Sequence, residues 1–395
     1  LVAIAALAAF GAQAQSTVTI SGNMDLGINQ TDFKGNKVTT SGAANGSSTS
    51  ALVFAGTEDM GGGLKAAFRW ELDPDLGQTV GKTSGTSATG TTSNVTSSIG
   101  NGYSFLGLDS NYGSVKFGSI NFQTLDANGD GNLGFGTAIG SGYRVTSFDA
   151  VRAQNSLRLD TPSFAGFSAS FLQSAKNDKQ ANVLNNGQTG NLVNQTTGRD
   201  GVTEIGAAYA NGPLTVRAAQ LKVKQFGDIG LVGTGVNQFN IATWTNGTGS
   251  NFKLDTLSAK YQVTNEAAVA FFHQKITSDA LNAATAAGAA ATTVYDRKTT
   301  GVAATYQVTP AIKLMANYQH AENGSAANSA GTAKANLHTN VTGLGVDYAL
   351  SKRTTAYFRT EHDIDSIGQR SITGYTARTG DVTYKATAFG IRHTF

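Results

Sequence analysis

Hydrophobic and polar residues alternate along much of this chain with a period of two residues, which is typical of β-strands. Four segments share one form, with two apolar residues and a tyrosine at alternate positions: Ile205-x-Ala207-x-Tyr209, Leu257-x-Ala259-x-Tyr261, Val302-x-Ala304-x-Tyr306 and Leu344-x-Val346-x-Tyr348. The residues between them are small or polar, and they include Lys260 and Asp347. The pattern predicts strands with one apolar face that ends in a ring of tyrosines, as at a lipid–water boundary.

Short, turn-rich segments divide the chain at seven places: 58–63, 109–114, 161–166, 210–213, 263–266, 308–311 and 350–353. Longer polar connections alternate with them, near 30–49, 74–100, 122–151, 176–201, 226–252, 277–296, 321–336 and 363–383. Together these connections predict sixteen antiparallel strands, with both chain ends on the side of the short turns. Short turns on one side and long loops on the other are typical of an up-and-down transmembrane β-barrel of the bacterial outer membrane.

The third predicted strand shows why a membrane barrel is favoured over a soluble β-sandwich. Leu64, Phe68 and Trp70 fall on one side of it, while Lys65 and Arg69 fall on the other. A sandwich would bury the second set in a dry core, whereas a barrel places it in a watery lumen. Lysine or arginine facing lipid at mid-depth costs roughly 2–4 kcal/mol, so the charged side is predicted to face inwards.

The last segment, Tyr384 to Phe395, alternates to the end of the sequence and needs a partner strand, because a free edge would pair with any available strand. The alternating segment 17–22 is the predicted partner, and this pairing would close the barrel. Residues 1–10 are apolar and alanine-rich, and Ala12-Gln13-Ala14 resembles a signal-peptide cleavage site. We therefore expect residues 1–14 to be the remnant of an export signal and 15–395 to form one barrel domain.

Composition excludes several other classes of protein. Charged residues make up 14% of the 395 residues, and the net charge of +3 is too small and dispersed to indicate nucleic-acid binding. There are no cysteines, so neither disulfides nor a thiolate metal site can form. No cofactor is implied.

The third long connection, 122–151, differs from the other seven. It combines two acids, Asp126 and Asp130, and several glycines with apolar residues that could anchor it: Leu125, Leu133, Phe135, Ile139 and Phe148. Such residues indicate that the segment packs against other parts of the protein. Because a sixteen-stranded barrel is wide enough for an aqueous channel, the inner wall is the predicted contact, with this third loop folded into the lumen.

Several segments resemble the Gram-negative general porin family, the sixteen-stranded trimeric outer-membrane channels. They are residues 56–71 (Gly-Thr-Glu-Asp-Met-Gly-Gly-Gly-Leu-Lys-Ala-Ala-Phe-Arg-Trp-Glu), 112–118 (Tyr-Gly-Ser-Val-Lys-Phe-Gly), 152–167 and the terminal Phe395. The resemblance covers essentially the whole mature chain. It implies a homotrimer in contact with outer-membrane lipid and lipopolysaccharide, and a terminal Phe395 that the outer-membrane assembly machinery reads.

The resemblance also implies a pore constriction in which acids of the third loop face a basic wall. Asp126 and Asp130 would be the loop acids. The basic wall would comprise Arg69, Lys116, Arg152, Arg158 and Arg392, all on the side of their strands predicted to face the lumen. This chain has neutral residues where family members often carry bases, at Ala51 or Ala55 and at Ser119. The charge selectivity is therefore expected to be weak.

Other chemistry finds less support in the sequence. Residues 126–131 match the first half of an EF-hand calcium loop, but Thr137 occupies the position of its bidentate glutamate. The five histidines are scattered, so no metal site is predicted. There is no Gly-x-Ser-x-Gly motif, and Glu361 and His362 fall on opposite faces of a strand, so no catalytic residue is predicted.

These observations predict a water-filled channel for the passive diffusion of small hydrophilic solutes and inorganic ions. A substrate-selective channel of the same architecture, and a surface adhesin or structural barrel, are the alternatives. Lumen-side bases outnumber lumen-side acids on the same strands, whereas the third loop adds acids. We expect a weak preference for anions, set mainly by Arg69 and Arg152.

Overall fold

A computed structural model describes residues 17–33, 36–44, 46–74, 76, 84–86, 92–94, 102–136, 138–142, 146, 151–174, 202–223, 252–284, 290–323, 326–327, 333–334, 337–365 and 382–395. The predicted export signal, residues 1–14, lies outside this part of the chain. So do Thr137, Phe148 and most of five predicted long connections: 74–100, 176–201, 226–252, 321–336 and 363–383.

The described chain forms a closed antiparallel barrel of sixteen strands, as the sequence predicts. The strands are β1 Thr17–Phe33, β2 in two parts (Asn36–Ala44 and Ala51–Gly61), β3 Leu64–Leu72, β4 Ser104–Ser110, β5 Gly113–Asn121, β6 Arg152–Asp160, β7 Phe167–Ser174, β8 Val202–Asn211, β9 Leu214–Val223, β10 Phe252–Gln262, β11 Ala267–Ala284, β12 Ala290–Gln307, β13 Ile312–Asn323, β14 Leu337–Ala349, β15 Thr354–Asp365 and β16 Val382–Thr394. Each strand pairs with the next in sequence, and two small two-stranded sheets lie outside the barrel.

The first and last strands close the barrel, as predicted. Pairing of β1 with β16 runs from Asn23 opposite Thr394 to Phe33 opposite Tyr384. At the end of the chain, the Phe395 N–H donates to the Gly22 carbonyl, and the Gly22 N–H donates to the Phe395 carbonyl, both at 3.1 Å. The Phe395 ring lies over Gly22, where a Cβ atom would collide with it. The missing side chain therefore makes room for the terminal aromatic ring.

A buried hydrogen bond crosses this closure. Tyr357 of β15 reaches over Gly390 of β16, and its hydroxyl donates to Asp25 Oδ1 on β1 at 2.6 Å. The other Asp25 carboxylate oxygen accepts the N–H of Ser47 at 2.9 Å and that of Ser48 at 2.7 Å. Asp25 thus holds the segment between the two parts of β2, and this contact joins β1, β2 and β15 across the seam.

Every strand presents two faces that differ in chemistry. One face, which we call the apolar face, carries large exposed side chains such as Ile205, Val302 and Leu344, which are 60%, 54% and 52% exposed. The alternate positions, which we call the polar face, are small, polar or charged, and here Ser258, Gln319 and Arg359 are buried. The predicted alternation is therefore confirmed in three dimensions.

All seven predicted short connections are turns between neighbouring strands. Two predicted long connections are partly wrong, because strands occupy much of them. β1 continues to Phe33 and pairs with the first part of β2, within the predicted connection 30–49. β11 and β12 extend to Ala284 and from Ala290, within the predicted connection 277–296. The threonine- and alanine-rich sequences of these two connections predict polar loops. The strands nevertheless continue to pair beyond the segments in which apolar and polar residues alternate.

The segment after β5 contains a helix that the sequence does not predict, α1 Gln123–Gly131. It contacts β8 to β12. Among the described residues, no helix has the length and apolar character needed to cross a membrane.

Candidate functional site

The first turn of α1 is held by a buried carboxylate from the barrel wall. Glu204 on β8 is 1% exposed. It accepts the Gln123 N–H at 2.6 Å, the Thr124 N–H at 3.0 Å and the Thr124 hydroxyl at 2.8 Å. Backbone N–H groups at a helix start have no partner within the helix, and a negative charge is favoured there. Glu204 supplies both the hydrogen-bond acceptors and the negative charge, and it therefore fixes the start of α1 on the polar face.

Asp130, in the last turn of α1, binds two bases that the sequence analysis did not include in its site. Its carboxylate lies 2.6 Å from Arg217 Nε on β9 and 2.6 Å from Lys260 Nζ on β10. Lys260 was already on the predicted polar side of its strand. Its pairing with Asp130 depends on where the helix rests, which the alternation does not reveal. Asp126, the other predicted loop acid, is exposed.

Beyond α1, the predicted apolar anchors pack against the polar face. Leu133 is buried with Ala268, Ala270 and Ala303, while Phe135 is 1% exposed and lies 5.8 Å from the Arg359 guanidinium. Ile139 packs against Tyr384 and Ala386. These three contacts, on β11, β12, β15 and β16, confirm the expectation that the segment packs against other parts of the protein.

Polar contacts fix the same segment near its far end. Glu361 on β15 accepts the Gly140 N–H at 2.8 Å and the Gly142 N–H at 3.4 Å. Asn317 on β13 donates to the carbonyls of Gly140 and Ser141 at 3.0 and 2.8 Å. The segment is therefore tied to the polar face at its start, at Asp130 and at Gly140–Gly142.

The predicted basic residues of β3, β5 and β6 lie in one part of the barrel wall, with β4 between β3 and β5, and each is paired with an acid. Arg69 pairs with Glu71, and Arg152 pairs with Asp73 at 3.2 Å. Lys116 and Arg158 both bind Asp160, at 3.0 and 2.8 Å. Lys116 and Arg158 therefore share one carboxylate.

Arg392 lies further round the barrel, and its guanidinium is 3.5 Å from Asp347 on β14. The same carboxylate binds Arg359 at 2.7 Å, and Arg359 is fully buried. Asp130, Asp160 and Asp347 are thus three carboxylates that each lie between two bases. Each of these three clusters has two bases for one carboxylate, and Asp126 of α1 adds a negative charge near Arg217 and Arg158.

Asp73 lies immediately after β3, and its side chain is 14% exposed. Burial raises the pKa of Asp73 to about 6, although the neighbouring Arg152 acts in the opposite direction. Its charge therefore changes within an accessible pH range.

The four tyrosines predicted to form a ring at the lipid–water boundary, Tyr209, Tyr261, Tyr306 and Tyr348, occupy equivalent positions next to short turns. Tyr261, Tyr306 and Tyr348 are about half exposed, at 45%, 53% and 48%. Tyr209 stacks against Phe167 with ring centroids 4.5 Å apart. Phe395 is 42% exposed at the same end of the barrel.

The described residues contain no group of three or more histidine, cysteine or acidic side chains that could hold a metal ion. The half EF-hand, residues 126–131, lies within α1, so these residues form a helix rather than a loop. Both oxygens of its Asp130 contact bases.

Comparison with known proteins assigns the chain to a family. The family model described as Gram-negative porin matches residues 1–365. The chain is 32% identical over 185 residues to the major outer membrane protein P.IB of Neisseria lactamica, covering 45% of this chain and 50% of that protein. It is 34% identical over 247 residues to an outer membrane porin of Bordetella pertussis, covering 55% of this chain and 57% of that protein. The chain spans about half the length of the curated relatives it matches.

A solved structure, the anion-selective porin from Comamonas acidovorans, shares the fold with a TM-score of 0.68 at 21% identity. The match covers 96% of this chain and all of that chain. Together with the closed sixteen-stranded barrel, the family match shows that this chain is an outer-membrane protein that belongs to the Gram-negative porin family.

Proposed function

We propose that the polar face lines a water-filled lumen, and that the protein is a channel for passive diffusion of small hydrophilic solutes and ions. The alternation supports this, because the six bases around Asp130, Asp160 and Asp347 lie on the polar face. On a lipid-facing surface each would cost roughly 2–4 kcal/mol at mid-depth. Barrels of sixteen strands are wide enough to leave an aqueous passage. No cofactor or catalytic residue has a part in this function.

The segment that starts with α1 would then lie inside the lumen and narrow it. This proposal rests on its contacts, since Glu204, Asp130, Leu133 and Glu361 all engage the polar face. The helix contacts β8 to β12, whereas Arg69, Lys116 and Arg158 lie on β3, β5 and β6. By strand order Arg69 on β3 lies away from the helix, whereas Arg158 on β6 contacts its start by donating to the Gln123 side-chain oxygen at 3.2 Å.

A weak preference for anions follows from the three carboxylates that each lie between two bases. Asp130, Asp160 and Asp347 together bind six bases, and the nearby Asp126 adds a fourth acid, so bases remain in excess. Charges that line a narrow pore act on passing ions at close range. Arg69 binds Glu71, and Arg152 binds Asp73. The sequence alone assigns the anion preference mainly to Arg69 and Arg152. We assign it instead to the three clusters in which two bases share Asp130, Asp160 or Asp347.

Single-channel recording in a planar lipid bilayer tests the channel and its constriction together. The wild-type protein should give discrete conductance steps, and deletion of residues 127–134 should enlarge them, because it removes Asp130 and Leu133. A well-folded barrel without any conductance would refute the channel and favour an adhesin or structural barrel. An unchanged conductance in the deletion variant would refute the lumenal placement of the segment alone.

We also propose that the barrel assembles as a homotrimer. Strands β3 to β7 are short, at seven to nine residues, and their apolar face carries large side chains such as Phe117 and Phe171. A short wall with an apolar face suits contact with a second copy, whereas β11 and β12 have 18 residues each. Chemical cross-linking in mild detergent should give a trimer, and only monomer would contradict this.

A further inference from the structure

A short stretch of β2 leaves the plane of the barrel wall between its two parts. Leu26 of β1 lies opposite Ala44, and Asn23 lies opposite Ala51. The six residues between Ala44 and Ala51 therefore stand against only two residues of β1. Extra residues in one strand of a pair are left outside the hydrogen-bond ladder. We call the described part of this stretch, residues 46–50, the serine segment.

The contacts of the serine segment place it over the polar face. Asp25, which lies opposite the stretch, is fully buried. Its carboxylate accepts the Ser47 hydroxyl at 2.8 Å as well as the N–H groups of Ser47 and Ser48, and its own N–H donates to the Ser50 hydroxyl at 3.1 Å. Arg392 of β16 donates to the Ser47 hydroxyl oxygen at 3.1 Å. Because Asp25 and Arg392 are register partners on the polar face, the segment covers that face.

Further contacts fix the two ends of the serine segment. The Asn23 side-chain amide donates to the Ser48 hydroxyl oxygen at 2.6 Å and to the Thr49 carbonyl at 2.9 Å. Gly46 lies against Tyr357 of β15, where a Cβ atom would come within 2.5 Å of the phenol oxygen. Thr49 alone is exposed in this segment. Its side chain is therefore the part of the segment that a passing solute would meet.

A chain of contacts joins the serine segment to the segment that follows α1. Phe135 lies 5.8 Å from the Arg359 guanidinium, which in turn lies 5.6 Å from the Tyr357 ring. The Tyr357 hydroxyl donates to Asp25, and Asp25 binds the serine segment. The two segments therefore meet the barrel wall at the same level, one at the closure of the barrel and the other along β8 to β12.

We propose that the serine segment is a second wall of the constriction, which selects solutes by size and charge at Thr49. It narrows the passage from β1, β15 and β16, which the helix α1 does not contact. It also covers Asp25, which withdraws this carboxylate from the surface of the lumen and thereby favours anions. The proposal rests on the proposed function, because it requires that the polar face lines a water-filled lumen.

The test uses the absence of cysteine from the chain, which makes the thiol of the variant T49C unique. The folded variant is labelled with two methanethiosulfonate reagents of similar size, one carrying a trimethylammonium group and the other a sulfonate. K352C, at an exposed position in a short turn, is the matched control. Mass spectrometry measures the labelled fraction. Single-channel conductance and the reversal potential in a KCl gradient are then recorded for the same preparations and for unlabelled wild type.

Both labels should lower the conductance of T49C, because each adds bulk where the passage is narrow. The cationic label should shift the reversal potential towards chloride and the anionic label towards potassium. A fixed charge acts on ions within the Debye length, which is about 10 Å at 0.1 M salt, so the shifts should be largest at low salt. Labelled K352C should keep the conductance and the reversal potential of the unlabelled protein.

Complete labelling of T49C without a fall in conductance would overturn the proposal. Shifts of the reversal potential in the same direction with both labels would also overturn it, as would a T49C thiol that resists both reagents while K352C reacts. In each of these outcomes the unlabelled wild type still conducts. Failure of the second wall is therefore distinguishable from failure of the channel, in which the wild type itself would give no conductance.

Discussion

Glu204 shows at the residue scale how a single carboxylate can position a functional segment. It accepts three hydrogen bonds from Gln123 and Thr124 while almost fully buried. A buried donor that loses its acceptor costs about 1–3 kcal/mol. The closed barrel has many other contacts, so this loss should loosen α1 without unfolding the strands.

The first prediction concerns the variant E204Q, whose amide group cannot accept all three hydrogen bonds. We expect faster amide hydrogen exchange in residues 123–131 and more frequent current fluctuations, with the heat-stability of the barrel nearly unchanged. E58Q, at an exposed position near a short turn, is the control. Exchange in 123–131 equal to that of wild type would show that Glu204 does not hold the helix.

Asp73 supplies a prediction about pH. Its raised pKa of about 6 means that it is ionised at pH 8 and protonated at pH 5. Acidification therefore removes a negative charge beside Arg152, so the anion preference should rise as the pH falls. In D73N the preference at pH 8 should already equal that of wild type at pH 5. An identical pH dependence in D73N and wild type would assign the effect to other groups.

At the scale of elements, closure depends on the last residue of β16 and on Gly22 of β1. Phe395 exchanges two backbone hydrogen bonds with Gly22, and its ring occupies the space that a Gly22 side chain would fill. Deletion of Phe395 should therefore lower the amount of heat-modifiable barrel in the outer membrane, measured by gel mobility with and without heating. Y112A, which removes an aromatic residue that is 93% exposed in a short turn, is the control. Normal levels of the deletion variant would contradict this account.

The strands could be predicted from the sequence because the chemistry of alternate residues is imposed by lipid on one side and water on the other. Segment 344–348 shows this clearly, since Leu344 and Val346 are exposed while Gly345 is buried. A period of two residues survives in the sequence wherever both faces have strict requirements. The strand extensions in 277–296 lack that contrast, and they were therefore predicted as a loop.

The helix α1 could not be predicted, because its own sequence favours other structures. Asn128, Gly129, Asp130 and Gly131 are poor helix formers. The helix is stabilised by contacts with the wall, through Glu204 at its start and through Arg217 and Lys260 near its end. The same reason explains why Arg217 was missed, since its role depends on a partner 87 positions away in the sequence.

At the scale of the whole molecule, the arrangement of charge decides which ions pass most easily. The site consists mostly of ion pairs, so a strong preference is not expected. What remains is an excess of bases around Asp130, Asp160 and Asp347, with six bases against these three acids and the nearby Asp126. This excess should lose its effect as salt rises, because the Debye length falls from about 10 Å at 0.1 M to about 3 Å at 1 M.

The most direct test is the reversal potential of the channel in a KCl gradient at low salt. The triple variant K116Q/K260Q/R392Q leaves each shared carboxylate with one base, and K352Q/R353Q controls for charge outside the pore. Wild type and the control should show the same weak preference for chloride, and the triple variant should shift clearly towards potassium, further than R69A/R152A. A cation preference in the wild type, or no shift in the triple variant, would contradict the account.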